Sequence, residues 1–233
     1  MTRPVPVFAL CVAIAFGVLT TGCTSTVQGA AVKPRSSVPA DNVPALEDAD
    51  LEGLMLGNSA LNKISGVELE SFYSAEEMND NADLVTDRDC LGAIYPGEKA
   101  VYDNTDWTAI RDELLLEASG EEDGRLVEQT LVLFDTSDKA VEFFEASKDT
   151  WRKCAQIKDI EVEGGSWVPD KVQGVDERTM SLKAAVSGSL EGTCQHAMGV
   201  VSNLIVEGFS CDADDHDDAQ KVASQILKDA AEQ

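Results

Sequence analysis

Two cysteines, Cys194 and Cys211, stand at equal distances either side of the dipeptide Ser202-Asn203, and that symmetry restricts the fold more than any other feature. The chain between them is largely apolar and reads as strand. One straight strand would carry the two sulfurs more than ~40 Å apart, far beyond disulfide reach. A two-residue turn at Ser202-Asn203 instead folds the ribbon onto itself. Val201 then faces Leu204, Val200 faces Ile205, Met198 faces Glu207, His196 faces Phe209 and Cys194 faces Cys211. Asn tolerates the positive φ that a tight hairpin turn requires. A β-hairpin closed by Cys194–Cys211 is the expected solution.

A disulfide needs an oxidising compartment, and the N-terminus points to one. Arg3 precedes an apolar run from Val7 to Leu19, which is too short to cross a bilayer and is predicted to be the core of a signal peptide spanning residues 1–22. The run ends in Leu19-Thr20-Thr21-Gly22-Cys23. Gly-Cys here resembles a bacterial lipobox, with Cys23 as the thiol that accepts diacylglycerol and Thr20 standing where Leu is usual. The expected location is the extracytoplasmic face of the cell membrane, held by the lipid. From residue 23 to residue 45 the chain carries Pro34, Pro39 and Pro44 among small polar residues, without helical or strand period, and is predicted to be a flexible tether. Residues 46–233 suit one domain with its own core.

With Cys11 in the signal peptide and Cys23 at the lipid site, Cys90 and Cys154 are left for each other. Cys154 falls on a helical face formed by Ala140, Phe143, Phe144, Ser147 and Trp151, capped by Thr136 or Ser137. No CxxC spacing occurs, so a zinc site is not expected. Leu126 to Phe134 reads as a strand covered on both faces, with Val127, Leu131 and Leu133 on one and Leu126, Val132 and Phe134 on the other. Met180, Leu182, Ala184 and Val186 alternate with polar residues in a second strand. An amphipathic helix closes the chain from about Asp215, and another runs through Leu51, Leu54 and Met55 toward Leu61 and Ile64, ending at Gly66. Hairpins side by side imply an antiparallel β-sheet flanked by helices. The predicted class is α+β with two disulfides.

These residues resemble the extracellular sensor domain of PknH-type mycobacterial Ser/Thr kinases, a domain also found in mycobacterial lipoproteins. The resemblance rests on Trp151 three before Cys154, Gln129 in the strand before the Phe143-Phe144 helix, and Cys194-Gln195 opening a hairpin. Asn203 in its turn, Cys211 at its end and the closing helix complete it. It implies the two disulfide pairs above and a cleft for an unidentified ligand.

The 43 acids against 18 Lys and Arg give a formal net charge of −25, which opposes binding to a phosphate backbone, so no nucleic-acid partner is expected. Both histidines, His196 and His216, lack a GxSxG, SxxK or HExxH context, and no enzyme activity or cofactor is expected. The cluster Asp212, Asp214, Asp215, Asp217 and Asp218 lacks the Gly and Glu of a calcium loop, since Asp217 and Ala223 occupy those positions. It reads as the acidic start of a helix. Tyr102, Trp107 and Trp167 lie in loop-like stretches and are the candidate ligand contacts. The expected function is a sensor-like lipoprotein that binds a small molecule, glycolipid or peptidoglycan fragment in its cleft. The alternative is a docking or scaffold role toward an envelope protein.

Overall fold

A computed structural model describes residues 43–118, 124–188 and 191–233. The predicted signal peptide, the lipidation residue Cys23 and the tether up to residue 42 lie outside the described residues. In chain order, helices α1 (Asp48–Leu54) and α2 (Asn58–Ser65) lead into strand β1 (Leu69–Ala75). Two short helices follow, α3 (Leu91–Ile94) and α4 (Lys99–Tyr102), then β2 (Trp107–Glu117), β3 (Leu126–Phe134) and the long α5 (Ser137–Cys154). Strands β4 (Ile160–Val162), β5 (Gly165–Pro169), β6 (Gln173–Asp176), β7 (Thr179–Gly188), β8 (Gly192–Val201) and β9 (Leu204–Asp212) come next, and α6 (Asp218–Ala231) ends the order.

The strands form one nine-stranded sheet in the order β1-β2-β3-β9-β8-β7-β5-β4, with β6 also paired to β7. All its strand pairings are antiparallel. The central ribbon has the expected register, with Cys194 opposite Cys211, His196 opposite Phe209 and Val201 opposite Leu204. Both cysteine pairs, Cys90–Cys154 and Cys194–Cys211, are joined, with Cα separations of 5.6 and 4.0 Å. The turn differs in one respect: Ser202 takes the positive φ of 49°. Asn203 works through its amide, which accepts from Leu46 N and donates to Leu46 O and Phe134 O. That amide ties the hairpin tip to the chain entering the domain. Where the chain enters the domain, Val43 is buried and Ser202 donates to Pro44 O.

The central strands are apolar on both sides because each side has a helical cover. Leu115, Val127, Leu131, Leu133 and Val206 meet α1, α2 and α6 in one core. Ile110, Val132, Phe134, Ile205 and Phe209 meet α3, α4 and α5 in the other. Helix α5 has its N-cap at Thr136, whose side chain accepts from Lys139 N, and buries the expected stripe ending in Trp151 and Cys154. Helix α6 lies so close to β9 that a Cβ on Gly208 would stand 2.4 Å from Ala219 O. The helix expected from Leu51 to Gly66 is broken into α1 and α2. At the break, Leu56 N–H donates to Gln129 Oε1 and Leu56 O accepts from Gln129 Nε2, both at 2.9 Å. The buried amide replaces the helical hydrogen bonds that the break removes.

Candidate functional site

The segment between β1 and β2 lies on the α5 side of the sheet and builds the floor and one wall of a cleft. Its residues 84–86 line up beside β4: Thr86 N–H donates to Glu161 O, Glu163 N–H donates to Leu84 O, and Val85 bridges Val162. Between this wall and the β4–β5 hairpin lies an open cavity of about 650 Å³, carrying Asp83, Asp159, Glu161 and Glu163. A smaller cavity of about 150 Å³ shares Val162, Glu163, Gly165 and Ser166 with it and runs beneath the hairpin. Apart from Glu163, Ser166 and Ser187, its lining is largely apolar: Tyr95, Leu126, Trp167, Val186, Phe209 and the Cys194–Cys211 bridge. Trp167 stacks on Phe209 at 5.9 Å between ring centroids and meets Tyr95 edge-on at 6.3 Å. Gly165 is required where the hairpin crosses β7, because a Cβ there would stand 1.9 Å from Ser187 O.

Of the three candidate aromatics, only Trp167 lines this cleft. It lies on β5, and Trp107 opens β2, so both are strand residues and not loop residues. Trp107 is half-buried against the α5-side core. Tyr102 ends α4 and is 1% exposed, stacked on Phe143 at 4.3 Å. A ring so enclosed offers no face to a ligand, and the expectation for Tyr102 is corrected on that ground. Another cavity of about 220 Å³ sits between α5 and residues 104–106, but Lys139 at its mouth is already paired with Asp106 and Glu142.

Tyr102 belongs instead to a buried polar network that anchors the cleft wall to the sheet. Its hydroxyl donates to Glu207 Oε1 at 2.7 Å, and Gly97 N–H donates to the same oxygen at 3.2 Å. Glu207 Oε2 lies 2.8 Å from His196 Nε2, and His196 Nδ1 lies 3.4 Å from Ala93 O. Trp151 covers the imidazole ring at 4.4 Å. His196 is therefore a structural group with 0% exposure. Alongside, Asn79 Nδ2 donates to Asp112 Oδ2, Glu128 Oε1 and Pro96 O, each at 3.3 Å. Thr130 donates to Asp112 Oδ1, and Asn81 donates to Glu98 through its backbone and side chain. Burial away from water raises the Asp112 carboxyl to about 6 and holds Glu128 well above the usual carboxylate range. Glu98 is raised for the same reason.

The acidic run at the start of α6 is ion-paired. Arg125 pairs with Asp212 and Asp218, and Lys183 pairs with Asp215 and Asp217. The helix itself starts at Asp218, with Asp217 at the N-cap position making no side-chain cap bond. Among the described residues no cluster of three metal-ligating side chains occurs.

The two-sided antiparallel sheet, its helical covers and its two disulfides define an α+β domain. The chain belongs to the PknH-like extracellular domain family, which matches residues 46–228. It is similar to the serine/threonine-protein kinase PknH of Mycobacterium tuberculosis strains CDC 1551/Oshkosh and ATCC 25618/H37Rv, at 29% identity over 202 residues, or 84% of this chain and 31% of each kinase. The PknH of Mycobacterium bovis is 29% identical over 182 residues, 76% of this chain and 30% of the kinase. The chain thus spans under a third of the length of these kinases. A crystal structure of the extracellular domain of PknH from Mycobacterium tuberculosis is similar over 82% of this chain and all of that one, with a TM-score of 0.74 at 26% identity. The likeness is to the kinase's extracellular domain and not to its catalytic domain. Among the described residues no helix is long and apolar enough to cross a membrane.

Proposed function

We propose that this protein is a lipoprotein, anchored through Cys23 to the outer face of the cell membrane, whose domain binds a ligand in the cleft beneath the β4–β5 hairpin. One observation carries the reading. An aromatic floor of Tyr95, Trp167 and Phe209 opens into a larger cavity walled by Asp83, Asp159, Glu161 and Glu163. A concave apolar site with a few convergent polar groups is the usual form of a small-molecule site. Such a site suits a ligand with an apolar portion and a polar end that is cationic or rich in hydroxyl donors. Muropeptides and envelope glycolipids are the classes to screen.

The test is thermal shift of the mature chain against purified peptidoglycan fragments and envelope glycolipids, with Ser166→Trp as the blocked form. Ligand at a hundred times its Kd adds about 2.7 kcal/mol, or about 5–10 °C for a domain of this size. The expected result is a shift in the native protein that Ser166→Trp abolishes, and that Glu163→Gln weakens should the larger substitution disturb folding. No shift at millimolar ligand, or one that both variants keep, refutes the reading. Docking to an envelope protein is the second reading, favoured by Phe72, 71% exposed on edge strand β1. Crosslinking in intact cells from position 72 would recover one dominant partner protein if docking holds.

A further inference from the structure

The segment that walls the cleft is fixed in its middle by the Cys90–Cys154 bridge and by buried Leu91, Ala93 and Ile94, but the hydrogen bonds that tie its two ends to β2, β3 and β9 go to carboxyl groups. Asn79 reaches Asp112 on β2 and Glu128 on β3, while Gly97 and Tyr102 reach Glu207 on β9. The segment is closed on itself by Asn79 N–H to Gly97 O and Lys99 N–H to Asn79 O, and by Asn81 to Glu98. Asn79 Nδ2 stands 3.3 Å from both Asp112 Oδ2 and Glu128 Oε1, so two carboxyls converge on one amide group away from water, where burial and their mutual repulsion favour a proton held on the pair. The surroundings offer little positive charge to replace that proton. Tyr73 on β1, Glu77 and Asp80 beside Asn79, Glu98, Glu207 and Tyr102 are all acids. His196, bound to Glu207, is the base in direct contact with the network. Arg111, next to Asp112 in sequence, turns away to Asp48 and Glu76.

We propose that the Asp112–Glu128 pair is a proton-binding clasp: with its shared proton it holds Asn79, and through it residues 79–81 and the 97–99 turn bonded to them, against the sheet, and on losing it the pair repels and releases that end of the segment. Because the released end runs directly into Asp83, Leu84, Val85 and Thr86 of the cleft wall, release would reshape the ligand site; that second step rests on the binding reading above, whereas the clasp does not. Both carboxyls have folded-state affinities for protons above those of the unfolded chain. Their contribution is therefore complete below about pH 4 and is lost as pH rises through about 6 and beyond. The clasp tightens on acidification.

Hydrogen exchange of the ligand-free mature chain, followed by mass spectrometry from pH 5 to 8 in 0.5 M salt and corrected for intrinsic rates, tests this directly. Salt screens the general repulsion of an acidic surface but leaves a buried pair largely untouched. The opening constant of residues 79–81 and 97–99 is expected to rise by up to about tenfold per pH unit above the transition for one proton released. Glu128→Gln, which keeps a donor toward Asp112, should flatten that dependence while exchange in α6 stays unchanged. Asp112→Asn gives a second flattened profile should Glu128→Gln fold poorly. Equal pH dependence in native and variant proteins, or a change spread evenly over the domain, would overturn the clasp. If the clasp is confirmed and no ligand shift is seen, only the binding reading fails.

Discussion

Replacing Gln129 by Leu should be among the costly single polar-to-apolar changes in the domain. The side chain is fully buried and makes three hydrogen bonds of 2.9 Å, to Leu56 N, Leu56 O and Glu113 Oε2. Leu matches its volume, so no cavity forms, and Glu113 retains water on its exposed side. The loss is then that of two backbone groups at Leu56, left unpaired where the chain breaks between α1 and α2. At about 1–3 kcal/mol for each orphaned group, the expected destabilisation is about 2–6 kcal/mol, a large share of the ~5–15 kcal/mol typical of a domain. Urea unfolding should show a midpoint lowered by about 1–2 M with an unchanged slope. Gln129→Glu sharpens the test, because a carboxylate would keep the bond from Leu56 N–H but face Leu56 O and Glu113. Its deficit should therefore grow as pH rises and shrink on acidification. A midpoint for Gln129→Leu within about 0.5 kcal/mol of the native value would show that the amide does not hold the break.

Gly208→Ala should destabilise by about 1–3 kcal/mol in the same assay, since α6 must move off β9 to admit the methyl group. Gly53→Ala in α1 meets nothing within 4 Å and should be neutral or stabilising by up to about 1 kcal/mol. Removing Cys90–Cys154, with its sequence separation of 64, should cost about 4 kcal/mol against about 3 kcal/mol for Cys194–Cys211, with its separation of 17, as read by denaturation of the paired Cys→Ala variants. Asn203→Ala should loosen the entering chain at Leu46 as well as the hairpin, seen as faster amide exchange at both places.

The elements legible in the sequence were those whose burial follows their own period. The central hairpin, β3, β7, α5 and α6 each carry apolar residues where a covered face requires them. Strand β2 was not legible because Arg111-Asp112-Glu113 interrupts its apolar pattern. Asp112 points into the buried network, while Arg111 and Glu113 meet partners on the α1 side, so polar residues occupy positions where strand patterning looks for apolar ones. Strand β1 is exposed along most of its length, and β4 to β6 are too short to show a period. The break between α1 and α2 depends on a side chain more than 70 positions away, which no local signal reveals. At the site, Trp167 was visible as an aromatic outside the apolar runs, but Tyr102 looked the same and proved to be core. What separates them is pairing with distant residues: Phe209 and a cavity for one, Glu207 for the other.

Fluorescence titration of the three tryptophans with the most stabilising compound from the screen addresses the central claim, that the ligand sits over the Trp167 floor. Occupancy of the cleft predicts a saturable emission change at one ligand per chain, retained in Trp107→Phe and absent in both Trp167→Phe and Ser166→Trp. Saturable binding with its signal intact in Trp167→Phe and its affinity intact in Ser166→Trp would place the ligand elsewhere and contradict the account.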